Sequence, residues 1–359
     1  FSFCCCYIGR AYFKIGKAKI AINYFNNAID KLEILISREP KNTDLKHDLV
    51  VAYNDIAQLH LDIMQNEMAM ELFNKSIRII RNIVATNPEN QVYLNTLMQS
   101  LGHLGDINRS MGNFSKALDY FQESKKINKK LISYKPYNTN HRRNLSVQYN
   151  SIGRIFREMK EIEKALMNFK KSLVIIVELL AIEEHRADFL HDLSFSLNHI
   201  AHCYFALNQK EDALKYYVES LKIRKKLIAI DPQRIDYKQD LSVSLNYVGK
   251  ALKDKGDDNE AIKYFEKEIE LLNEISHFHK NKKNYESLIR KTQLLADLFY
   301  KKGVIIKALE YYNIIINTLN QMILLEPENY DLRRELAMSF KITGKIFANY
   351  GNIEKAKGF

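Results

Sequence analysis

The chain has 359 residues, of which 46% are apolar, so it can build a core and is not wholly disordered. It has only 12 glycines and 5 prolines, and such low counts favour long helices over turn-rich sheets. The formal net charge of +11 permits acidic proteins, nucleic acids or anionic membranes as partners, but it selects none of them.

The cysteines do not predict a disulfide framework, because Cys4, Cys5 and Cys6 are adjacent and Cys203 is far away. A reducing, cytoplasmic compartment is therefore expected. The clustered cysteines could be acylated near a membrane, but burial in a helix interface is the favoured interpretation. The longest apolar run, residues 173–182, is too short to span a bilayer and contains a glutamate. Neither a transmembrane segment nor a signal peptide is predicted.

The prolines reveal an internal repeat. Pro40, Pro88 and Pro136 are 48 residues apart, and Pro232 lies two further periods along the chain. Pro327 follows after 95 residues, which is one residue short of two periods. Self-similarity of this length is typical of helical repeat arrays.

Glycines recur with the same period in two registers. The first set is Gly9, Gly105, Gly153, Gly249 and Gly344, with Ala57, Ala201 and Ala296 in its gaps. The second set lies seven residues later and is Gly16, Gly112, Gly256, Gly303 and Gly351. The shift in the last members places a one-residue deletion in the interval 268–296.

In chain order, the repeat predicts units at about 1–40, 41–88, 89–136, 137–184, 185–232, 233–280, 281–327 and a truncated 328–359. Each complete unit reads as two amphipathic helices. In the sixth, Leu241, Leu245 and Val248 recur at helical spacing, Gly256 marks a tight turn, and a second helix starts near Glu260. No strand-like alternation recurs, so the predicted fold is all-α.

The second helix of each unit carries an alanine twelve residues after the glycine or alanine of the first set. An aromatic residue follows this alanine by four positions. The pairs are Ala21/Phe25, Ala69/Phe73, Ala117/Phe121, Ala165/Phe169, Ala213/Tyr217, Ala261/Phe265 and Ala308/Tyr312, and Ala356 opens an eighth. A small residue lets the two helices approach, and we expect the ring to fill the space beside it.

These residues resemble the signature of the tetratricopeptide repeat family. The sequences of several first helices resemble the repeats of kinesin light chains. The chain departs from the family in its period of 48 instead of the usual 34 and in its lack of tryptophan. The resemblance implies one right-handed α-solenoid over residues 1–359, with about eight antiparallel helix hairpins. HEAT-like repeats are the alternative, but they lack the alanine–aromatic signature.

The resemblance also implies a concave wall lined by the first helix of each unit, which binds a protein or peptide. On each first helix, a residue and the residues four and seven positions after it lie on one face. These three positions define a stripe that recurs from unit to unit. The candidate groove residues on this stripe are Asn54, Gln58, Arg109, Asn150, Arg154, Arg157, Asn198, His202, Phe205, Asn246, Lys250 and Lys253.

The chemistry of the stripe suits an acidic peptide. An asparagine amide can both donate to and accept from a peptide backbone, and the arginines and lysines favour carboxylates. The alternative is that each asparagine bonds to the adjacent repeat and only fixes the stacking. Both remain open, because asparagine is a poor helix-interior residue and its recurrence has a cause in either case.

Other functions have weaker support. The array could be the sensor arm of an enzyme or signalling protein whose catalytic domain is absent, or an RNA-binding helical repeat. Basic runs such as Arg224-Lys225-Lys226 could meet phosphates, but a solvated outer helix face is favoured. His199, His202 and Cys203 lack the second ligand pair of a zinc site. No catalytic motif is recognised, so neither an enzyme, a small-molecule substrate nor a cofactor is expected.

Overall fold

The computed structural model describes residues 2–350 and, beyond them, Glu354, Ala356 and Gly358. The described residues form 15 α-helices and no strands. In chain order they are α1 Ser2–Lys14, α2 Ala18–Arg38, α3 Thr43–Asp62, α4 Asn66–Thr86, α5 Gln91–Ser110, α6 Phe114–Tyr134, α7 Thr139–Glu158, α8 Ile162–Leu180, α9 Ala187–Ala206, α10 Lys210–Ile230, α11 Ile235–Lys255, α12 Asp258–Phe278, α13 Lys282–Lys301, α14 Ile305–Leu325 and α15 Tyr330–Asn349. The all-α prediction is confirmed.

The chain divides into two compact units, residues 1–184 and 185–359. The first holds α1–α8 and the second holds α9–α15. Within each unit, every odd-numbered helix up to α13 packs against the helix that follows it, and successive hairpins pack side by side. Helices α3, α5, α7, α9 and α11 begin 48 residues apart, whereas α13 begins 47 residues after α11. The missing residue falls in the loop 279–281, which has three residues where the loop 231–234 has four.

Each hairpin is closed by the predicted contact between a small residue and a ring. A Cβ atom added to Gly105 would lie 2.7 Å from the ring of Phe121, and one added to Gly249 would lie 2.6 Å from the ring of Phe265. Only glycine allows so close an approach without movement of the ring. The signature alanines of the second helices are fully buried beside these contacts, at 0–1% exposure.

The turn inside each hairpin uses a left-handed residue. Gly256 has φ +92° at the end of α11. The equivalent position is occupied by Met64, Lys160 and Asn208 in three other repeats, with φ between 59° and 66°. This conformation costs a residue with a Cβ atom roughly 1 kcal/mol, and the cost is smallest for asparagine. The equivalent Gly351 lies outside the described residues.

An asparagine also recurs at the start of several first helices. The side chains of Asn42, Asn90, Asn138 and Asn329 accept hydrogen bonds from backbone N–H groups of the first turn. Such caps satisfy donors that have no partner inside the helix. They fix where these four helices begin, whereas α9 and α11 start after Arg186 and Arg234, which provide no side-chain cap.

Candidate functional site

The recurring asparagines lie between helices, as Asn54 of α3 shows. Its Oδ1 accepts from Ser76 Oγ of α4 at 2.7 Å and from Ser100 Oγ of α5 at 3.2 Å, and its Nδ2 donates to Ser100 Oγ at 2.9 Å. One amide therefore joins both helices of its own repeat to the first helix of the next. This geometry agrees with the stacking alternative, since the amide of Asn54 is already engaged.

The equivalent position of the sixth repeat keeps the asparagine but replaces both serines with charged residues. Asn246 Nδ2 donates to Glu268 Oε2 at 2.7 Å, and Lys291 Nζ lies 3.1 Å from Glu268 Oε1. Glu268 is only 3% exposed, and burial lowers the pKa of Lys291. A buried carboxylate of this kind is tolerated because an ammonium and an amide both bind it.

Asn150 and Asn198 are also buried, at 5% and 7% exposure. The amide of Asn198 lies 3.4 Å from His202 Nε2, and the Nδ1 atom of the same ring lies 2.7 Å from the hydroxyl of Tyr217. The ring of Tyr247 packs edge-on against His202 with centroids 4.3 Å apart. His202 is therefore held in a polar aromatic cluster, whereas Phe205, one turn further along α9, is 40% exposed.

In the first unit, the predicted cations belong to a mixed-charge cluster at the ends of α5 and α7. Arg109 Nη1 lies 2.8 Å from Glu158 Oε1, and its Nε atom lies 3.7 Å from Asp106. Burial lowers the pKa of Arg154, and the neighbouring guanidinium of Arg109 lowers it further. Arg157 is partly exposed beside this cluster. A carboxylate ligand would have to compete with Glu158 for Arg109.

Gln58, the remaining candidate of the first unit, is bound within its own helix. Its Nε2 donates to Asp62 Oδ1 at 3.0 Å, one turn further along α3. The pair is exposed, so it lies on the surface of α3 but already satisfies part of the amide.

The second unit has an open arrangement. A cavity of about 730 Å³ lies between α11, α12 and α13, and Asn246, Lys250 and Lys253 line it. Arg290 and Lys301 of α13 line it as well. We call this space the lysine cavity. Among the described residues, no carboxylate pairs with Lys250, Lys253, Arg290 or Lys301.

The wall of the lysine cavity also has apolar and acidic parts. Val243 and Leu294 line it at 42% and 67% exposure, so the wall also offers apolar surface to a ligand. Asp297 lines it too, but its carboxylate accepts from the Tyr312 hydroxyl at 2.6 Å and from Gln293 Nε2 at 2.9 Å. The cavity thus combines unpaired cations with exposed apolar surface, which is suitable for an amphipathic, acidic segment.

Lys250 and Lys253 are among the residues predicted from sequence, whereas Arg290 and Lys301 are not. No residue of the seventh repeat is among the candidate groove residues, and these two cations lie at the ends of a stripe of α13 with Leu294 between them. Helical spacing of four, three and four residues places Arg290, Leu294, Asp297 and Lys301 on one face. That spacing was the available signal.

One predicted surface residue is buried, which is a correction. The run Arg224-Lys225-Lys226 was expected on a solvated face, but Arg224 is only 5% exposed. Its guanidinium donates to Ser244 Oγ at 2.9 Å and to the backbone carbonyl of Asp240, so it ties α10 to α11. Lys225 and Lys226 are exposed as expected.

The zinc candidates are placed as follows. Cys203 is fully buried, and His199 is 9% exposed and packs edge-on against Phe195 with centroids 4.1 Å apart. Within the part of the chain that the structure describes, no group of three His, Cys, Asp or Glu side chains could hold a metal ion. None of the described helices combines the length and the apolar character needed to cross a membrane.

Comparisons with known proteins agree with the repeat fold. One tetratricopeptide repeat model matches residues 196–232, and another matches residues 99–131 and 245–271. No curated protein sequence matches the chain. Tetratricopeptide repeat proteins are generally protein-interaction scaffolds, and their fold is typically non-catalytic.

Solved structures share the fold at low sequence identity. The apo form of RapI has 17% identity and a TM-score of 0.57, over 89% of this chain and 98% of that one. BtubC (BKLC) from P. vanneervenii has 15% identity and a TM-score of 0.54, over 72% and 92%. The nearly identical TPR-like repeats of a kinesin light chain from Podosopora anserina have 15% identity and a TM-score of 0.47, over 65% of this chain and 97% of that one.

Proposed function

We propose that this tetratricopeptide repeat protein is a binding scaffold, without catalytic activity of its own, whose lysine cavity takes an acidic segment of a partner protein. The observation that carries the proposal is the set of four cations without ion-pair partners on facing helices of one cavity. An incoming carboxylate gains charge-assisted hydrogen bonds there and displaces no carboxylate of the protein. By contrast, the cations of the first unit include Arg109, which Glu158 already occupies.

The size and lining of the cavity favour a peptide as the ligand. Arg290 and Lys301 are eleven residues apart on α13, which corresponds to roughly 16 Å of helix. About five residues of extended chain cover this distance. Val243 and Leu294 would contact apolar side chains of such a segment.

We also propose a cytoplasmic location. All four cysteines are free, and free thiols persist in reducing compartments. Trapping thiols by rapid alkylation in cells of the source would test this, because fully alkylated chain is expected, and disulfide-linked chain would contradict it.

The binding proposal is tested by titrating a fluorescent peptide of about eight residues, alternating glutamate and leucine, against the full chain. We expect the Lys250→Glu/Lys253→Glu variant to bind at least tenfold more weakly at low salt, since two attractive contacts become repulsive. Lys225→Glu/Lys226→Glu is the matched control, because it makes the same charge change on the exposed face of α10.

A third variant, Arg154→Glu/Arg157→Glu, reports on the first unit, and we expect it to change the affinity by less than about threefold. A peptide with glutamine in place of glutamate separates charge from apolar contact. Equal losses from the α10 control and the cavity variant would overturn the proposal, because binding would then follow net charge alone.

A further inference from the structure

A cluster of lysines in the first unit surrounds the ring of Tyr149 on α7. The Nζ atom of Lys125 on α6 lies 5.4 Å from the centroid of this ring, and that of Lys171 on α8 lies 5.8 Å from it. Lys129 follows Lys125 by one helical turn. Burial lowers the pKa of Lys125, and the nearby ammonium groups of Lys129 and Lys171 lower it further. We call Lys125, Lys129 and Lys171 the lysine triad.

The lysine triad has no acidic partner within the part of the chain that the structure describes. The acidic residues of α6 and α8 that are closest to the triad in sequence are Glu123 and Glu178. Glu123 pairs with Arg81 at 2.7 Å, and Glu178 pairs with Arg142. The positive charge of the triad is therefore not neutralised by the protein.

Two periods earlier, the equivalent residues are neutralised by two glutamates. The hydroxyl of Tyr53 donates to Glu33 Oε1 at 2.7 Å, and Lys75 Nζ lies 2.8 Å from Glu71 Oε1. At the equivalent positions beside Tyr149 and Lys171, these two glutamates are replaced by Lys129 and Met167. One substitution adds a cation, and the other removes the acid that would pair with Lys171.

None of the five other triplets at equivalent positions contains three cations. They are Ile29/Glu33/Lys75, Ile77/Arg81/Glu123, Leu173/Val177/Glu219, Leu221/Lys225/Lys267 and Ile269/Asn273/Ile314. All five have an aliphatic residue at the position of Lys125, and four of these residues are buried. Lys125 thus places an ammonium group at a position that the repeat otherwise uses for its core.

The charge of the triad favours a phosphate group over a carboxylate. A phosphorylated serine or threonine carries a charge of about −1.5 to −2 and three acceptor oxygens. A carboxylate carries one charge and two oxygens. Because three ammonium groups that repel one another gain most from a doubly charged anion, the triad discriminates between the two. Lysine binds phosphate as a point charge, so no exact alignment of the three side chains is needed.

The surface beside the triad favours a peptide as the carrier of the phosphate. Met167 and Val174 lie four residues before and three residues after Lys171, on the same face of α8. Their side chains are 50% and 57% exposed. Apolar side chains next to a phosphorylated residue would contact them, whereas the backbone of a nucleic acid has no such groups.

We infer that the lysine triad binds a phosphoserine or phosphothreonine of a partner protein, in a segment with apolar residues beside it. The three ammonium groups donate charge-assisted hydrogen bonds to the phosphate. The ring of Tyr149 holds Lys125 and Lys171 beside it through cation–π contacts. This site lies in the first unit, whereas the lysine cavity lies in the second, so each can be tested without the other.

The experiment probes the full chain with an array of short peptides that have a fixed central phosphoserine and random uncharged flanking residues. Two further arrays carry serine or glutamate at the centre. We expect peptides with apolar flanks to be enriched, and to bind at least about tenfold more tightly than their serine and glutamate counterparts at low salt. Lys129→Glu, which restores the acid of the first repeat, should weaken binding of the enriched phosphopeptides by about tenfold or more.

Adjacent residues of α6 provide the control for charge. Lys125→Gln should weaken phosphopeptide binding by about fivefold or more, because it removes a cation of the triad. Lys126→Gln makes the same charge change one residue along the helix, at an exposed position, and should change the affinity by less than about twofold.

Tyr149→Leu tests the ring separately from the fold. Leucine occupies the equivalent position in three other repeats, as Leu101, Leu197 and Leu245, and is buried there. We therefore expect a cooperative thermal transition in this variant, with phosphopeptide binding about threefold weaker because the cation–π contacts are lost.

Equal binding of phosphoserine, serine and glutamate peptides would overturn the inference, as would equal losses in Lys125→Gln and Lys126→Gln. An array from which no phosphopeptide is enriched would also overturn it, even if oligothymidylate bound in a triad-dependent manner. Lys250→Glu/Lys253→Glu should leave phosphopeptide binding unchanged. If that variant lost the phosphopeptides and Lys129→Glu did not, the lysine cavity would be the phosphate site and the inference would be wrong.

Discussion

Equivalent first-helix positions of the two units differ in charge, and three of four compared positions have the opposite sign. In the first unit Asp106 and Arg109 of α5 face Arg154 and Glu158 of α7, and Arg109 is paired with Glu158. Three periods later, allowing for the deletion, the corresponding residues are Lys250, Lys253, Asp297 and Lys301. The ion pair Arg109–Glu158 thus becomes two lysines, Lys253 and Lys301, which both line the cavity.

The comparison shows that the repeat scaffold and the binding chemistry vary independently. The hairpin contact is the same in both units, as Gly105 with Phe121 and Gly249 with Phe265 show. The charges that face each other across neighbouring repeats differ, however. A closed cluster stabilises the first unit, whereas cations without partners repel one another and leave the second unit able to gain energy from an anionic ligand.

The largest expected effect on stability tests the shared scaffold. Gly105→Ala should lower the free energy of unfolding by about 1–2 kcal/mol, because overpacking against the Phe121 ring outweighs the better helix propensity of alanine. Gly102→Ala in the same helix is the control: nothing lies within 4 Å of its added Cβ, so it should stabilise by up to about 1 kcal/mol. Urea denaturation measures both, and equal shifts of the same sign would contradict the packing account.

The next effect tests the charge cluster of the first unit, which contains Asp106, Arg109, Arg154 and Glu158. Glu158→Gln keeps the shape of the side chain but removes its charge, and Arg109 is only 16% exposed. We expect a loss of about 1 kcal/mol in the free energy of unfolding at low salt, which is smaller at high salt. Glu89→Gln, in the loop before α5, is the control, because Glu89 is exposed and no described residue forms an ion pair with it. A salt-independent loss would show that packing, and not charge, is responsible.

A smaller effect contrasts two equivalent histidines. His47 Nε2 lies 3.0 Å from Thr96 Oγ1, and burial lowers the pKa of His47. Three periods later, His191 Nε2 lies 3.2 Å from Asp240, and the carboxylates of Asp192 and Asp240 raise the pKa of His191 to about 9.

Since its folded pKa lies above the unfolded value near 6.5, His191 stabilises fully below that pH, and this contribution disappears as the pH rises through about 9. The side chain is 38% exposed, so solvent screening limits the effect to about 1 kcal/mol or less. Denaturation midpoints between pH 6.5 and 9.5 should fall for the unmodified chain, and Asp240→Asn should flatten this slope. An unchanged slope in Asp240→Asn would contradict the assignment.

The smallest expected effect concerns the hairpin turns. Lys160 has φ +66°, so Lys160→Gly should stabilise the chain by at most about 1 kcal/mol. Asn208→Gly should stabilise less, because asparagine tolerates the left-handed conformation. Thermal unfolding of the two variants distinguishes them, and a destabilised Lys160→Gly would show that the lysine side chain contributes more than the strain it causes.

The fold was predictable from sequence because one pattern recurs in every unit. Prolines, two sets of small residues and the alanine–aromatic pairs each give the same period, so a helix hairpin is specified many times over. The bonding of individual side chains was less predictable. Asn54 meets Ser76 and Ser100, which lie 22 and 46 residues away, and only alignment of successive repeats reveals such contacts.

The same alignment explains the errors. Arg224 occupies a position that is Ile80, Ile176 and Leu272 in other repeats, all of them buried, so its burial follows from the register and not from its own polarity. The unpaired state of Lys253 depends on Lys301, which lies in the next repeat beyond the deletion. A single stripe of one helix does not contain this information.

The most direct test of the account reverses the charge that distinguishes the two units. Lys301→Glu recreates opposite Lys253 the carboxylate that Glu158 provides opposite Arg109, and Lys302→Glu is the control because Lys302 is exposed and does not line the cavity. Titration of the glutamate–leucine peptide should show at least tenfold weaker binding to Lys301→Glu and less than about twofold change for Lys302→Glu. Equal affinities of Lys301→Glu and the unmodified chain would contradict the proposal that the lysine cavity binds the acidic segment.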